Sequence, residues 1–244
     1  MYFVNWQRDV KISNRNGQKV VLKSNKKSKR FHEYLLAFSY TLVSIALGHP
    51  DSPPIVGERA IKNEGGSMRS YLMKLGIRTP KLISLSDSVL VEEYIEGGDL
   101  YRAFLSLDND NIVSSLAIRA GVITANLHND GRVFVDNKSQ NYLVGNDYDL
   151  LYRTDLGFIQ RKTSVFSQSM DIATFLASSL DLSVLRYSVI ENSFHQGYYS
   201  VTRSGFPYLS IILRNLLAPG FAFNHRSMLK NMLINSADKC SLIS

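Results

Sequence analysis

The 244-residue chain has one cysteine, Cys240, which excludes an intramolecular disulfide framework and any cysteine-based zinc cluster and fits a reducing cytoplasm. Its five histidines, His32, His49, His128, His195 and His225, show no ligand spacing, and no G-x-S-x-G elbow is present. Metal–thiol chemistry and a serine hydrolase of that type therefore have no support. Long apolar runs are also missing. The opening MYFVNWQRDVK has no apolar core of signal-peptide length. Tyr34 to Gly48 is the longest apolar stretch and is shorter than the roughly 20 residues a membrane-crossing helix needs, so no transmembrane segment is expected there, and a buried helix is preferred to a membrane-associated segment. Acidic residues are scarce at the start. Within the first 30 residues nine Lys and Arg stand against Asp9 alone, so the remaining 214 residues are close to neutral although the chain carries +7. Such a basic face suits an anionic partner, whether nucleotide phosphates, RNA through Lys26, Lys27, Lys29 and Arg30, or an acidic protein. A solvated hairpin that keeps the protein soluble is the plainer alternative, and both stay open.

What is present argues for a packed core, since 45% of the residues are apolar and there are 12 Phe and 13 Tyr. Residues 10 to 23 read as a hairpin, VKIS and QKVVLK flanking Asn16-Gly17, a pair suited to the positive φ of a tight turn. Helical patterning runs from Arg30 to Gly48 and ends in the proline-rich loop His49 to Pro54. A second helix is predicted from Gly57 to Leu75, with Met68, Tyr71, Leu72 and Leu75 on one face and Gly65-Gly66 as its weak point. KLISLS and SVLVEEYI read as strands and Glu96-Gly97-Gly98 as a turn inside a linker near residues 92 to 99. Beyond residue 100 the pattern is helical: Leu116, Ala120, Ile123 and Leu127 share a face, Met170 to Leu180 forms a helix capped by Ser169, and two or three more helices break at Pro207 and Pro219-Gly220.

Between those helices lies the densest chemistry in the chain. Asp136, Lys138 and Asn141 form a D-x-K-x-x-N run, and Asp155-Leu156-Gly157 begins fourteen residues after the asparagine. Phosphoryl transfer from ATP needs a carboxylate to orient the acceptor hydroxyl, a cation to neutralise the moving group, and further oxygen donors for magnesium.

On these residues the chain resembles the protein-kinase-like superfamily, closest in layout to the RIO kinases and to the minimal kinases of the KEOPS tRNA-modification complex, over roughly residues 10 to 180. The resemblance implies an α+β, bilobal fold with a β-rich N-lobe over residues 1 to 95 and a helical C-lobe over 96 to 244. It implies an atypical Ser/Thr protein kinase using ATP and Mg2+, acting on a protein substrate or within a partner complex. Val20-Val21-Leu22-Lys23 matches the family's V-A-I-K strand and makes Lys23 the grip on the α- and β-phosphates, with Lys19 as rival. Glu64, ahead of Glu58, matches the helical glutamate that pairs with that lysine. Glu93 and Tyr94 fall in the hinge, whose backbone meets the adenine edge. Asp136 matches the catalytic base, Lys138 the γ-phosphate contact, Asn141 and Asp155 the metal ligands, and Asp171 the aspartate that ties down the catalytic loop.

There are departures. Phe134 stands where the family has histidine, Val135 replaces Arg or Gly, the span from Gly157 to Asp171 is short, and the expected phosphate-cradling stretch Asn5 to Asp9 contains no glycine. These keep a second expectation open, a pseudokinase or interaction module. A third, a small-molecule phosphotransferase, is disfavoured by the lysine two residues after Asp136.

Overall fold

A computed structural model describes residues 8–15, 17–25, 29–87, 89–221 and 228–232. The fold is α+β, with one small antiparallel sheet and a helical C-terminal part. The predicted hairpin is present as β1 (Arg8–Arg15) and β2 (Gln18–Asn25), and Gly17 takes the positive φ of 80° that its turn demands. Strands β3 (Leu82–Leu85) and β4 (Val89–Glu93) complete the sheet in the order β1-β2-β4-β3.

Three helices lie between β2 and β3. The first, α1 (Lys29–Ala46), has the predicted extent, yet only one side of it is buried. Leu36, Tyr40, Val43 and Leu47 pack on a core cluster, whereas Phe38, Leu42 and Ile45 are 65%, 55% and 60% exposed. The expectation of a buried helix fails because the domain is large enough to cover one face of this segment only. The single helix predicted over 57 to 75 is two: α2 (Glu58–Asn63) and α3 (Gly66–Lys74). Gly65 between them is extended (φ −73°, ψ 173°), and this kink turns Glu64 and Arg69 inward, both buried.

The linker is pinned. A Cβ on Gly97 would stand 2.3 Å from the Val144 carbonyl oxygen, so only glycine lets the chain pass here. The Gly98 carbonyl accepts the Val144 N–H at 2.9 Å. Then come α4 (Leu100–Ser106) and α5 (Asp110–Asn129), which ends at Gly131 with φ 74°. Two small ribbons follow, β5 (Arg132–Val133) with β8 (Gln160–Arg161) and β6 (Tyr142–Val144) with β7 (Leu151–Arg153).

The helix α6 (Val165–Ala177) starts earlier than predicted. Its cap is Ser164, whose hydroxyl accepts the Ser167 N–H at 3.0 Å, and Ser169 is buried within it. In α7 (Val184–Thr202), Gly197 lies against Ile118 of α5, where an added Cβ would meet the Ile118 oxygen at 2.0 Å. Gly121 makes the reciprocal approach to Phe194 at 2.2 Å. Pro219 does not break the chain as expected but sits in the last turn of α8 (Leu209–Phe221), with two helical residues after it.

Candidate active site

Sheet register decides which side chains face inward. Val10 pairs with Lys23, Ile12 with Val21 and Val21 with Glu92, so all five share one face, and all five line a cavity of about 350 Å³ between the sheet and the helical part. Lys23 is buried in this cavity. Its Nζ lies 2.6 Å from Glu92 Oε1 and 3.3 Å from Asp155 Oδ1, and it donates to Thr154 Oγ1. Burial by itself would lower the lysine's pKa, but Asp155, Glu92 and Glu64 outweigh it and hold the pKa above its usual 10.5. Lys19, the rival lysine, is exposed and lies 3.9 Å from Glu96.

Glu92 is the residue that sequence reading missed. Its carboxylate meets Lys23 on one oxygen and accepts from Arg69 Nη2 at 2.9 Å on the other, with Thr154 Oγ1 donating to it at 3.1 Å. Burial pushes this carboxyl up, yet Lys23 and Arg69 overcome that and leave its pKa below the usual 4.5. The available signal was period-2 alternation. Glu92 is two residues from Leu90, the partner of Lys23, and so is its diagonal neighbour on the same face.

Glu64 is also buried in the cavity, 3.9 Å from Arg69 Nη2. It is near enough to help raise the Lys23 pKa, while Glu92 makes the direct contact. Glu58 is exposed at the start of α2. Of the hinge pair, Tyr94 lines the cavity. Glu93 faces the other side of the sheet, where its carboxylate accepts the Lys81 N–H at 3.0 Å and its own N–H donates to the Lys81 oxygen at 2.9 Å.

The opposite wall is built on backbone. Asp171, fully buried in α6, accepts the Phe134 N–H at 2.7 Å and the Val135 N–H at 2.6 Å, and His128 Nε2 lies 3.1 Å from it. These bonds hold Val135 at φ 67°, a conformation a β-branched residue avoids without such support. His128 is therefore a buried bridge to the loop, with Tyr198 Oη 3.1 Å from its Nδ1. The strained turn points Asp136 into the cavity. There Lys138 Nζ lies 2.9 Å from Asp136 Oδ2, and Asn141 Nδ2 donates to the same oxygen at 3.0 Å.

Arg153, also missed, locks this arrangement from behind. Its fully buried guanidinium donates to the Asn141, Thr154 and Asp136 carbonyls at 2.6, 2.8 and 2.7 Å and lies 4.5 Å from the Phe134 ring centre. Phe134, where the resemblance has histidine, is thus the platform for that arginine. Asp155 follows with φ 55°, and Asn63 of α2 donates to the carbonyls of Gly157 and Ile159 at 3.1 and 2.7 Å. A Cβ on Gly157 would lie 3.3 Å from the Ala60 oxygen.

Lys23, Glu64, Tyr94, Asp136, Lys138, Asn141 and Asp155 therefore share one cavity, while Glu93 does not line it and Asp171 holds the loop from behind. Asn141 spends its amide nitrogen on Asp136, its side-chain oxygen is left as an acceptor, and Asp155 lines the same cavity. Magnesium takes one or two carboxylates plus phosphate oxygens and water rather than a protein cage. Among the described residues no group of three His, Cys, Asp or Glu is placed to hold a metal ion. Lys23 and Lys138 suit phosphates, and Val21, Tyr94, Ile95 and Leu143 suit a flat base.

Of the other predicted positions, Asn5 to Gln7 and Lys26, Lys27 and Cys240 lie outside the described residues, while Lys29 and Arg30 begin α1. No helix of the described residues is long and apolar enough to cross a membrane. No protein-family profile matches the chain, and no curated protein matches it in sequence.

Proposed function

We propose that the chain is an atypical, bilobal, kinase-like phosphotransferase that uses Mg-ATP and passes the γ-phosphoryl group to a protein Ser or Thr hydroxyl, its own included. One observation carries this reading: Asp136, Lys138, Asn141 and Asp155 meet Lys23 across a single cleft between a four-stranded sheet and a helical part. Mg-ATP, when bound, supplies the phosphoryl group. Lys23 grips its phosphate oxygens, and Asp155 with the Asn141 oxygen holds the cation. Asp136 orients the acceptor hydroxyl and takes its proton. Lys138, 2.9 Å from that carboxylate, offsets negative charge on the transferring group. The short stretch from Gly157 to the start of α6 leaves no room for a long activation segment, which supports an atypical enzyme rather than a phosphorylation-regulated one.

A second reading is favoured by Lys23 itself. Two carboxylates already hold it, so a phosphate must compete with Glu92 and Asp155. An interaction module that keeps Lys23 paired, and binds RNA or a protein through its basic start, fits that pairing.

Thermal melting with and without Mg-ATP, on wild type and Asp155→Ala, separates the two. A ligand at 100 times its Kd stabilises the native state by about 2.7 kcal/mol. Wild type is expected to shift and Asp155→Ala is not, and labelled phosphate should transfer above the Asp155→Ala control. No shift and no transfer overturn the enzyme reading. Salt-sensitive RNA binding without turnover selects the second.

A further inference from the structure

An apolar surface that the cleft does not use is the outer side of α1. Tyr34, Leu35, Phe38, Leu42 and Ile45 are 65%, 41%, 65%, 55% and 60% exposed, and they recur every three or four residues along one stripe. Isolated exposed apolar residues are ordinary, but a contiguous stripe of this kind marks a binding surface. From Tyr34 to Gly48 the helix carries no charged residue at all. Its only carboxylate, Glu33, is buried on the opposite side, where it accepts the Gly57 N–H at 2.9 Å. No acid on the helix therefore opposes an anionic surface.

The charge lies at one end. Lys29 and Arg30 open the helix, and Lys26 and Lys27 are joined to them within five residues of chain. A basic run adjacent in sequence to an exposed aromatic and aliphatic helix face is the pattern that docks on anionic bilayers, the apolar side chains entering the headgroup boundary and the cations meeting the lipid charge. A second copy of the chain fits less well. Each copy carries +7, and the stripe covers only about two heptads without flanking charges to pair. We propose that α1 is a membrane-docking helix for an anionic lipid surface. Glu33, on the inner side of the same helix, lines the cleft, so docking sets the cleft beside the membrane.

Co-sedimentation of the full chain tests this, with vesicles of phosphatidylcholine alone or mixed with phosphatidylserine. Binding is expected only to the mixed vesicles and should weaken as salt rises. Phe38→Glu/Leu42→Glu should lower it roughly tenfold or more. Changing Lys26, Lys27, Lys29 and Arg30 to Gln should lower it by about fivefold per charge. Leu42→Trp should keep binding and show a blue shift of the added indole on the mixed vesicles. Melting curves matching wild type confirm that each variant is folded. Absence of binding, equal binding to both vesicle types, or full binding by Phe38→Glu/Leu42→Glu overturns the proposal. So does a solution oligomer that this double variant dissolves, which would assign the stripe to a second copy. RNA binding that the Gln variant abolishes, with no wild-type binding to vesicles, overturns it as well. Mg-ATP binding is read separately, so the outcome does not depend on the enzyme reading.

Discussion

The two walls of the cleft hold their polar groups by different physics. On the helical side, Asp136 is aimed by its backbone: Asp171 takes two N–H groups, Arg153 takes three carbonyls, and the strain at Val135 is offset by those bonds. On the sheet side, Lys23 is turned inward by strand register and held mainly by charge, between Glu92 and Asp155. The charge clamp on Lys23 depends on the ionisation of Glu92. One wall rests on hydrogen bonds to its own backbone, and the other on ion pairs.

Removing the backbone clamp should have the largest effect. Asp171→Ala leaves two buried N–H groups and His128 without their acceptor, and a loss of about 3–5 kcal/mol is expected in urea unfolding. A loss under about 1 kcal/mol would show that the loop does not need this carboxylate. Next is the support behind the clamp. Gly197→Ala places a methyl against the Ile118 backbone and should cost about 1–3 kcal/mol, because neither helix can give way.

Glu92→Gln breaks the charge clamp and is expected to cost about 1–3 kcal/mol near neutral pH. The sign of its pH dependence follows from the lowered pKa of Glu92. Its contribution is complete above its usual 4.5 and disappears as pH falls through the lower folded value. The gap between wild type and variant should therefore close on acidification, and a gap that persists at low pH would mean that packing, not charge, holds Lys23. The smallest effect belongs to the exposed rival. Lys19→Gln should change stability by less than about 0.5 kcal/mol and leave the Mg-ATP shift intact, since its ion pair is solvated on both sides. Loss of that shift would reassign the phosphate grip.

How far each wall could be read from the sequence tracks how local its chemistry is. D-x-K-x-x-N is legible because residues within one loop meet through that loop's own turn, and Asp136, Lys138 and Asn141 do meet. The resemblance ranked Glu64 ahead of Glu58, but the kink at Gly65 that turns Glu64 inward is not visible in residue order. Glu92 needed the pairing register of two strands, and Arg153 needed the knowledge that three carbonyls would converge on one buried point. Ser169 was the wrong cap because a serine four helical residues inside α6 looks, in sequence, much like the one that precedes it.

By itself the sequence determined the hairpin, the α+β character, the helical second half and the spacing of the polar loop, because these follow from local periodicity and turn chemistry. The tertiary structure alone decided that Glu92 clamps Lys23, that Asp171 and Arg153 hold the loop, and that α1 keeps a bare apolar side. Each of those depends on which surfaces meet across long separations in the chain, and residue order does not encode that one position at a time.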